Sequence, residues 1–184
     1  MLFTYQTDAY LINEIYKGKH NAFQELVKRY YKKAFNIAWR ELFSKEDAQD
    51  VVQIVFLKIW QRPDLFDENK NTKFSTWFYR VLVNACIDFK RGNNKTETIN
   101  IIELKDKRNS FDDKYLNQHI IAALKKLPNA QRNIINLFYY EELSTKETAS
   151  IMKITPKAVE AHLRRARDNL KGLIDKNFWS DKYE

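Results

Sequence analysis

Three groups of residues in this chain carry side chains that could do chemistry. The first lies in FSTWFYRVLVNACIDFKR, Phe74 to Arg91, where Thr76, Tyr79, Arg80, Asn84, Asp88 and Arg91 recur on one side at helical spacing. A helix front that mixes an aromatic ring, an amide and guanidiniums could stack on bases and hold phosphates. Taken alone, the segment reads first as an amphipathic core helix with a solvated front. The second group lies in PKAVEAHLRRARDNL, where Lys157, Glu160, Ala161, Arg164, Arg165 and Asp168 share a basic front. The third is Glu46, Asp47 and Asp50, which could in principle hold a metal for nuclease chemistry. Their place at a helix start has a capping explanation. No second acidic cluster, histidine pair or glycine-rich phosphate loop stands beside them, and His20, His119 and His162 are scattered. The chemistry on offer is therefore binding. No enzyme activity, metal, cofactor or small-molecule substrate is expected.

The elements that must position these groups are helices. Phe74, Trp77, Phe78, Val81, Leu82, Ala85 and Phe89 form an apolar stripe behind the first front, and Trp77 is assigned to the core by its spacing. A chain of 184 residues with 44% apolar side chains can hold one domain or two small ones. Three glycines and three prolines are too few for an all-β design full of tight turns. A net charge of +8 makes a polyanion partner plausible, either a membrane surface or nucleic acid. No run of about 18 apolar residues is present for a membrane span. The start, MLFTYQTDAY, lacks the pattern of a signal peptide. Cys86 is the single cysteine and reads as a small buried apolar residue. These features fit a cytoplasmic protein with no membrane insertion.

Along the chain, Asp8 to Tyr16 reads as a short helix and Lys17 to His20 as a break containing Gly18. A helix from Asn21 to about Leu42 follows, with Lys28, Arg29, Lys32, Lys33 and Arg40 mostly off its apolar stripe. Ser44 is an N-cap for a helix from Lys45 to Trp60 that buries Val51, Val52, Val55, Phe56, Ile59 and Trp60. Asp50, Gln53 and Lys58 remain outside, and Ile54 sits at the margin. Pro63 ends that helix, and Asp64 to Lys73 reads as a loop. Residues 92–112 are polar and weakly periodic, as suits a tether. Helices are then expected over Tyr115 to Lys126 and Ala130 to Glu141. Ser144 to Glu147 is a capping box that starts a short helix to Met152. After a turn at Lys153 and Ile154, Thr155-Pro156 opens a longer helix with Val159, Leu163, Ala166, Leu170 and Leu173 on one face. Two helices joined by a short turn, the second with arginines outward, make a helix-turn-helix.

Both units match one family. EDAQDVVQIVFLKIW and FDENKNTKFSTWFYRVLVNACIDFKR resemble the second conserved domain of bacterial sigma factors of the extracytoplasmic-function group, in the sigma-70 superfamily. LKKLPNAQRNIINLFYYEELSTKETASIMKITPKAVEAHLRRARDNL resembles their fourth domain. The resemblance covers about Asn21 to Lys171 in the family's order. It departs at Ile54, where the family usually has glutamate, and at Thr148, where it has an apolar residue. At Lys153 the family often has glycine, and a left-handed non-glycine there costs roughly 1 kcal/mol.

The resemblance implies an all-α protein: a first domain over 1–91, a tether over 92–112, a helix-turn-helix domain over 113–175 and a tail over 176–184. Its partners would be core RNA polymerase, promoter DNA and an anti-sigma factor, and its role promoter recognition, DNA melting and transcription initiation. Asp50, Gln53 and Lys58 would dock on the polymerase. Tyr79, Arg80, Asn84 and the loop residues Asp67 to Lys73, Lys73 among them, would receive the minus-ten element, with a base flipped into a pocket. At the minus-thirty-five element, Arg164 and Arg165 would take guanine edges or phosphates, Glu160 a cytosine amino group, and Ala161 would allow close approach. Lys157 and His162 would hold phosphate. The rival reading is a helix-turn-helix regulator that never meets polymerase. It leaves the Phe74 helix and the Asp50 face without work.

Overall fold

The computed structural model describes residues 5–67, 72–92 and 120–180, with side chains through 174. The chain divides into two compact units, Met1–Asn100 and Ile101–Glu184, and the described residues contain helices and no strand. The stretch read as a tether lies outside the described residues from position 93 onward.

In the first unit, Thr7 caps α1 (Asp8–Tyr16), its hydroxyl accepting from the Tyr10 amide at 3.2 Å. Gly18, at φ +78°, makes the left-handed turn into α2 (His20–Leu42). The buried side chains Leu11, Ile12 and Ile15 hold α1 against α2. Asp8 adds a polar clasp, accepting from Arg29 Nη1 at 3.0 Å and from the Tyr30 hydroxyl. Burial and this bond push the Tyr30 hydroxyl's pKa well above the ordinary tyrosine range. Ser44 caps α3 (Lys45–Gln61), accepting from the Asp47 amide at 3.2 Å. Pro63 opens a short 3-10 turn, Pro63–Leu65, inside the stretch read as a loop. Then comes α4 (Phe74–Gly92).

The core of this unit sits where α2, α3 and α4 meet. Phe78 is fully buried, with ring centroids 4.9 Å from Tyr30, 5.5 Å from Phe56 and 5.9 Å from Phe74. Glu41 is 1% exposed and pairs across α2 and α4 with Lys90 at 3.1 Å. Cys86 is buried, and desolvation pushes its thiol up to about 12, so it stays protonated and unreactive at neutral pH.

The buried arc of α4 differs from the apolar stripe read in the sequence. It consists of Phe74, Phe78, Tyr79, Leu82, Val83 and Cys86, whereas Trp77, Val81, Ala85 and Phe89 are only half-buried. At 3.6 residues per turn, the arc is rotated by roughly 70–80° from that stripe. The cause is that α4 packs against two neighbours, α2 and α3, so burial follows the groove between them.

In the second unit, residues 120–126 form the described part of α5, the helix expected over Tyr115 to Lys126. The segment expected as one helix over Ala130 to Glu141 is instead α6 (Asn129–Ile135) continued by a π-helical turn, Asn136–Tyr140. Buried Arg132 donates to the Lys125 carbonyl at 3.2 Å and to Asn129 Oδ1, supplying a partner at the end of α5. Asn169, in the last helix, donates to Gln131 Oε1 at 2.9 Å and ties α6 to that helix.

The capping box is complete: Ser144 Oγ accepts from the Glu147 amide at 3.2 Å, and Glu147 Oε2 accepts from the Ser144 amide at 3.1 Å. It starts α7 (Thr145–Met152). Ser144→Ala is expected to destabilise the second unit by about 1 kcal/mol, read from chemical denaturation. Lys153 ends α7 at φ 54°, ψ 43°, the left-handed position anticipated for it. Thr155 Oγ1 then accepts from the Ala158 amide at 3.1 Å, opening α8 (Pro156–Ser180). The helix runs to Ser180, past position 176 where a tail was expected to begin. Among its described side chains Val159, Leu163 and Ala166 are buried, and Thr148 on α7 is wholly buried with no hydrogen-bond partner for its hydroxyl.

Candidate nucleic-acid interface

The front of α4 is built by the packing behind it. Asn84, Asp88 and Arg91 are exposed, and Thr76 and Arg80 are half-buried on the same side. Tyr79, expected on this front, is instead 5% exposed and turned into the core against Phe78 and Tyr30, with centroids at 5.7 and 6.3 Å. The rotation of the buried arc explains this, since it carries position 79 inward. The same rotation brings Trp77, assigned to the core by its spacing, to the edge of the front. Its seven-residue separation from Asn84 was the signal available in the sequence. Trp77, Phe66 and Phe74 form a ring triad, with centroids 5.6 Å apart for Trp77 on either partner and 5.3 Å for Phe66 on Phe74. Phe66 precedes the 67–73 loop and Phe74 follows it, so the triad holds both ends of that loop together. Lys73 at its end is exposed, while positions 68–71 lie outside the described residues.

On α3, Asp50, Gln53 and Lys58 are exposed. Helical spacing places them around Ile54 and Leu57, which are 55% and 49% exposed. Two large aliphatic side chains ringed by polar ones are the pattern of a docking surface. Leu57 was missed in the sequence, although it falls off the stripe made by Val51, Val55 and Ile59.

On α8, Lys157, Glu160, Arg164, Arg165 and Asp168 are exposed, and Ala161 and His162 are half-buried. Lys157, Glu160, Ala161, Arg164, Arg167 and Asp168 line one shallow depression along the helix. Arg165 and His162 lie outside it on the flank, and His162 Nδ1 is buried without a hydrogen-bond partner. Arg167 belongs to this surface and was not singled out in the sequence; its spacing from Glu160 and Arg164 gives it away. Arginines alternating with carboxylates on an exposed helix can both hold phosphates and discriminate base edges. Near Glu46, Asp47 and Asp50, Ser44 Oγ accepts from the Asp47 amide and caps α3, and among the described residues no group of three or more His, Cys, Asp or Glu side chains is assembled.

Known proteins carry both units in the same order. Residues 26–96 match sigma-70 region 2, and residues 118–170 match sigma-70 region 4. The chain is 29% identical to the ECF RNA polymerase sigma factor SigW of Bacillus subtilis over 175 residues, covering 87% of this chain and 92% of the relative. It is 29% identical to the ECF RNA polymerase sigma-E factor of Escherichia coli over 183 residues, covering 91% and 94% of the two. Among solved structures it is similar to CnrH in complex with the cytosolic domain of CnrY, with a TM-score of 0.70 and 27% identity over 92% of this chain and 97% of that one. The sigma factor RpoE of Bartonella quintana shares the fold at a TM-score of 0.68 and 20% identity. This chain belongs to the bacterial RNA polymerase sigma factors of the sigma-70 superfamily, in their extracytoplasmic-function group.

Proposed function

We propose that the chain is an alternative sigma factor that binds core RNA polymerase in the cytoplasm, carries it to a set of promoters and helps open the duplex. The observation that carries this reading is the pairing of two units. One exposes an aromatic and amide front on α4 beside a loop with fixed ends; the other exposes a cationic helix set by a helix-turn-helix. The α3 face around Ile54 and Leu57, with Asp50, Gln53 and Lys58, is the polymerase-docking surface. Arg80, Asn84, Trp77 and Lys73 receive the minus-ten element, and Tyr79 supports them from within the core. Lys157, Glu160, Ala161, His162, Arg164 and Arg165 read or hold the minus-thirty-five element. No bond is made or broken by the chain itself; its work is recognition and strand separation. The relative CnrH is solved with a second polypeptide bound, which supports an anti-sigma factor as a regulator of this chain as well.

A test of the docking surface is Asp50→Lys. The residue is exposed at the side of α3 away from the core, so the variant is expected to keep its unfolding midpoint while losing about tenfold or more in affinity for core polymerase. Undiminished polymerase binding by this variant and by Leu57→Asp would place the docking surface elsewhere.

A further inference from the structure

The outward face of α2 has no role in the sites described above, and its composition is unusual. On a helix, Lys28, Tyr31, Lys32, Phe35 and Trp39 fall on the side opposite the buried Leu26, Tyr30, Ala34, Ile37 and Glu41. Tyr31 is 43% exposed, Phe35 and Trp39 are half-buried, and Lys28, Lys32 and the neighbouring Lys33 are exposed. Tyr31 and Phe35 stack nearly parallel, with centroids 6.3 Å apart and an interplanar angle of 14°. Parallel rings on an exposed face form a platform for another flat, aromatic group.

Charge decides which partner this platform fits. Only two carboxylates occur in α2, and both are engaged: Glu25 with Arg29 at 3.0 Å, and buried Glu41 with Lys90 at 3.1 Å. The one carboxylate of α2 near the outward lysines, Glu25, is thus already held by Arg29, which leaves the positive charge of this face in excess. A ring platform interleaved with cations is complementary to a single-stranded nucleic acid, whose bases stack on the rings while its phosphates meet the lysines. A duplex keeps its bases stacked inside and would use only the lysines. Helix α2 packs on α4 through Tyr30 against Phe74 and Phe78, on the side opposite this platform, so a strand released by α4 would meet the platform by passing around α2 within the same unit.

From these observations we infer that the α2 face of Lys28, Tyr31, Lys32 and Phe35 is a second single-strand DNA contact, which holds the separated strand after α4 has engaged it. This rests on the reading of the chain as a sigma factor.

The test uses holoenzyme reconstituted from the full chain and core polymerase, with two fluorescent probes: a promoter duplex kept closed at low temperature, and a fork carrying the same promoter with a single-stranded extension. Tyr31→Ala is expected to weaken fork binding about 5- to 150-fold and leave duplex binding within twofold. Lys28→Ala with Lys32→Ala should flatten the logarithmic salt dependence of fork binding by about 1.4. Because Tyr31 and both lysines are exposed, the variants should assemble with core polymerase as the wild type does. Equal loss on fork and duplex, or no loss on either, overturns the inference. So does a photocrosslinker at position 31 that captures a polymerase subunit and no DNA. Failure of the wild-type chain to bind core polymerase at all would instead refute the sigma-factor reading, so the two failures are distinguishable.

Discussion

Phe78→Ala is expected to destabilise the first unit by about 3–5 kcal/mol, the largest single effect on folding in this chain. The ring is fully buried and contacts Tyr30, Phe56, Phe74 and Tyr79, contributed by all three core helices. Alanine removes the transfer free energy of the ring and leaves a cavity that rigid aromatic neighbours cannot collapse to fill. A small domain has roughly 5–15 kcal/mol in total, so much of its stability goes. The consequence reaches function because Phe78 also anchors the start of α4 and, through Phe74, the end of the 67–73 loop. Denaturant unfolding followed by tryptophan emission reads this, since three of the four tryptophans, Trp39, Trp60 and Trp77, belong to the first unit. The second unit should keep its own transition. A loss below about 1 kcal/mol would mean that the α2–α3–α4 core is not packed as described.

The second large effect is on DNA. Replacing Arg164 and Arg165 together by alanine is expected to weaken binding to the minus-thirty-five element by about 1–3 kcal/mol for each that contacts a base edge. Both side chains are exposed, so stability should change by less than about 0.5 kcal/mol. The salt dependence separates two roles. An arginine on a base edge gives a loss confined to the cognate sequence. An arginine on phosphate gives an equal loss on all sequences and flattens the salt slope by about one. We propose that Arg164, which lines the shallow depression, takes a base edge and that Arg165, on its flank, takes phosphate. Unchanged affinity in the double variant would remove α8 from the interface.

Local chemistry was the most legible part of this fold. The caps at Ser44, Ser144 and Thr155 each act over three residues, and the left-handed Lys153 follows from a turn too short for anything else. Pro63, Pro128 and Pro156 set helix boundaries in the same local way. What the sequence could not show was how each helix is rotated in its groove. Periodicity finds an apolar stripe, but a helix pressed on two neighbours buries an arc wider than the stripe and displaced from it. That is why Tyr79 went inside and Trp77 came to the edge. The buried Arg132 depends on a partner at the end of α5, so no local pattern announces it, and none announced the π-helical turn at Asn136–Tyr140. The exposed face of α8 was easier to predict, because that helix has a single buried side and its outward positions follow from simple spacing.

The most direct test of the central claim is transcription in vitro, with core RNA polymerase from the source organism, this protein and fragmented genomic DNA, mapping the starts. The account predicts starts that appear only with the protein, share two upstream elements at a fixed spacing, and are lost with the Arg164 and Arg165 double variant. A protein that binds DNA without recruiting or redirecting polymerase would contradict it.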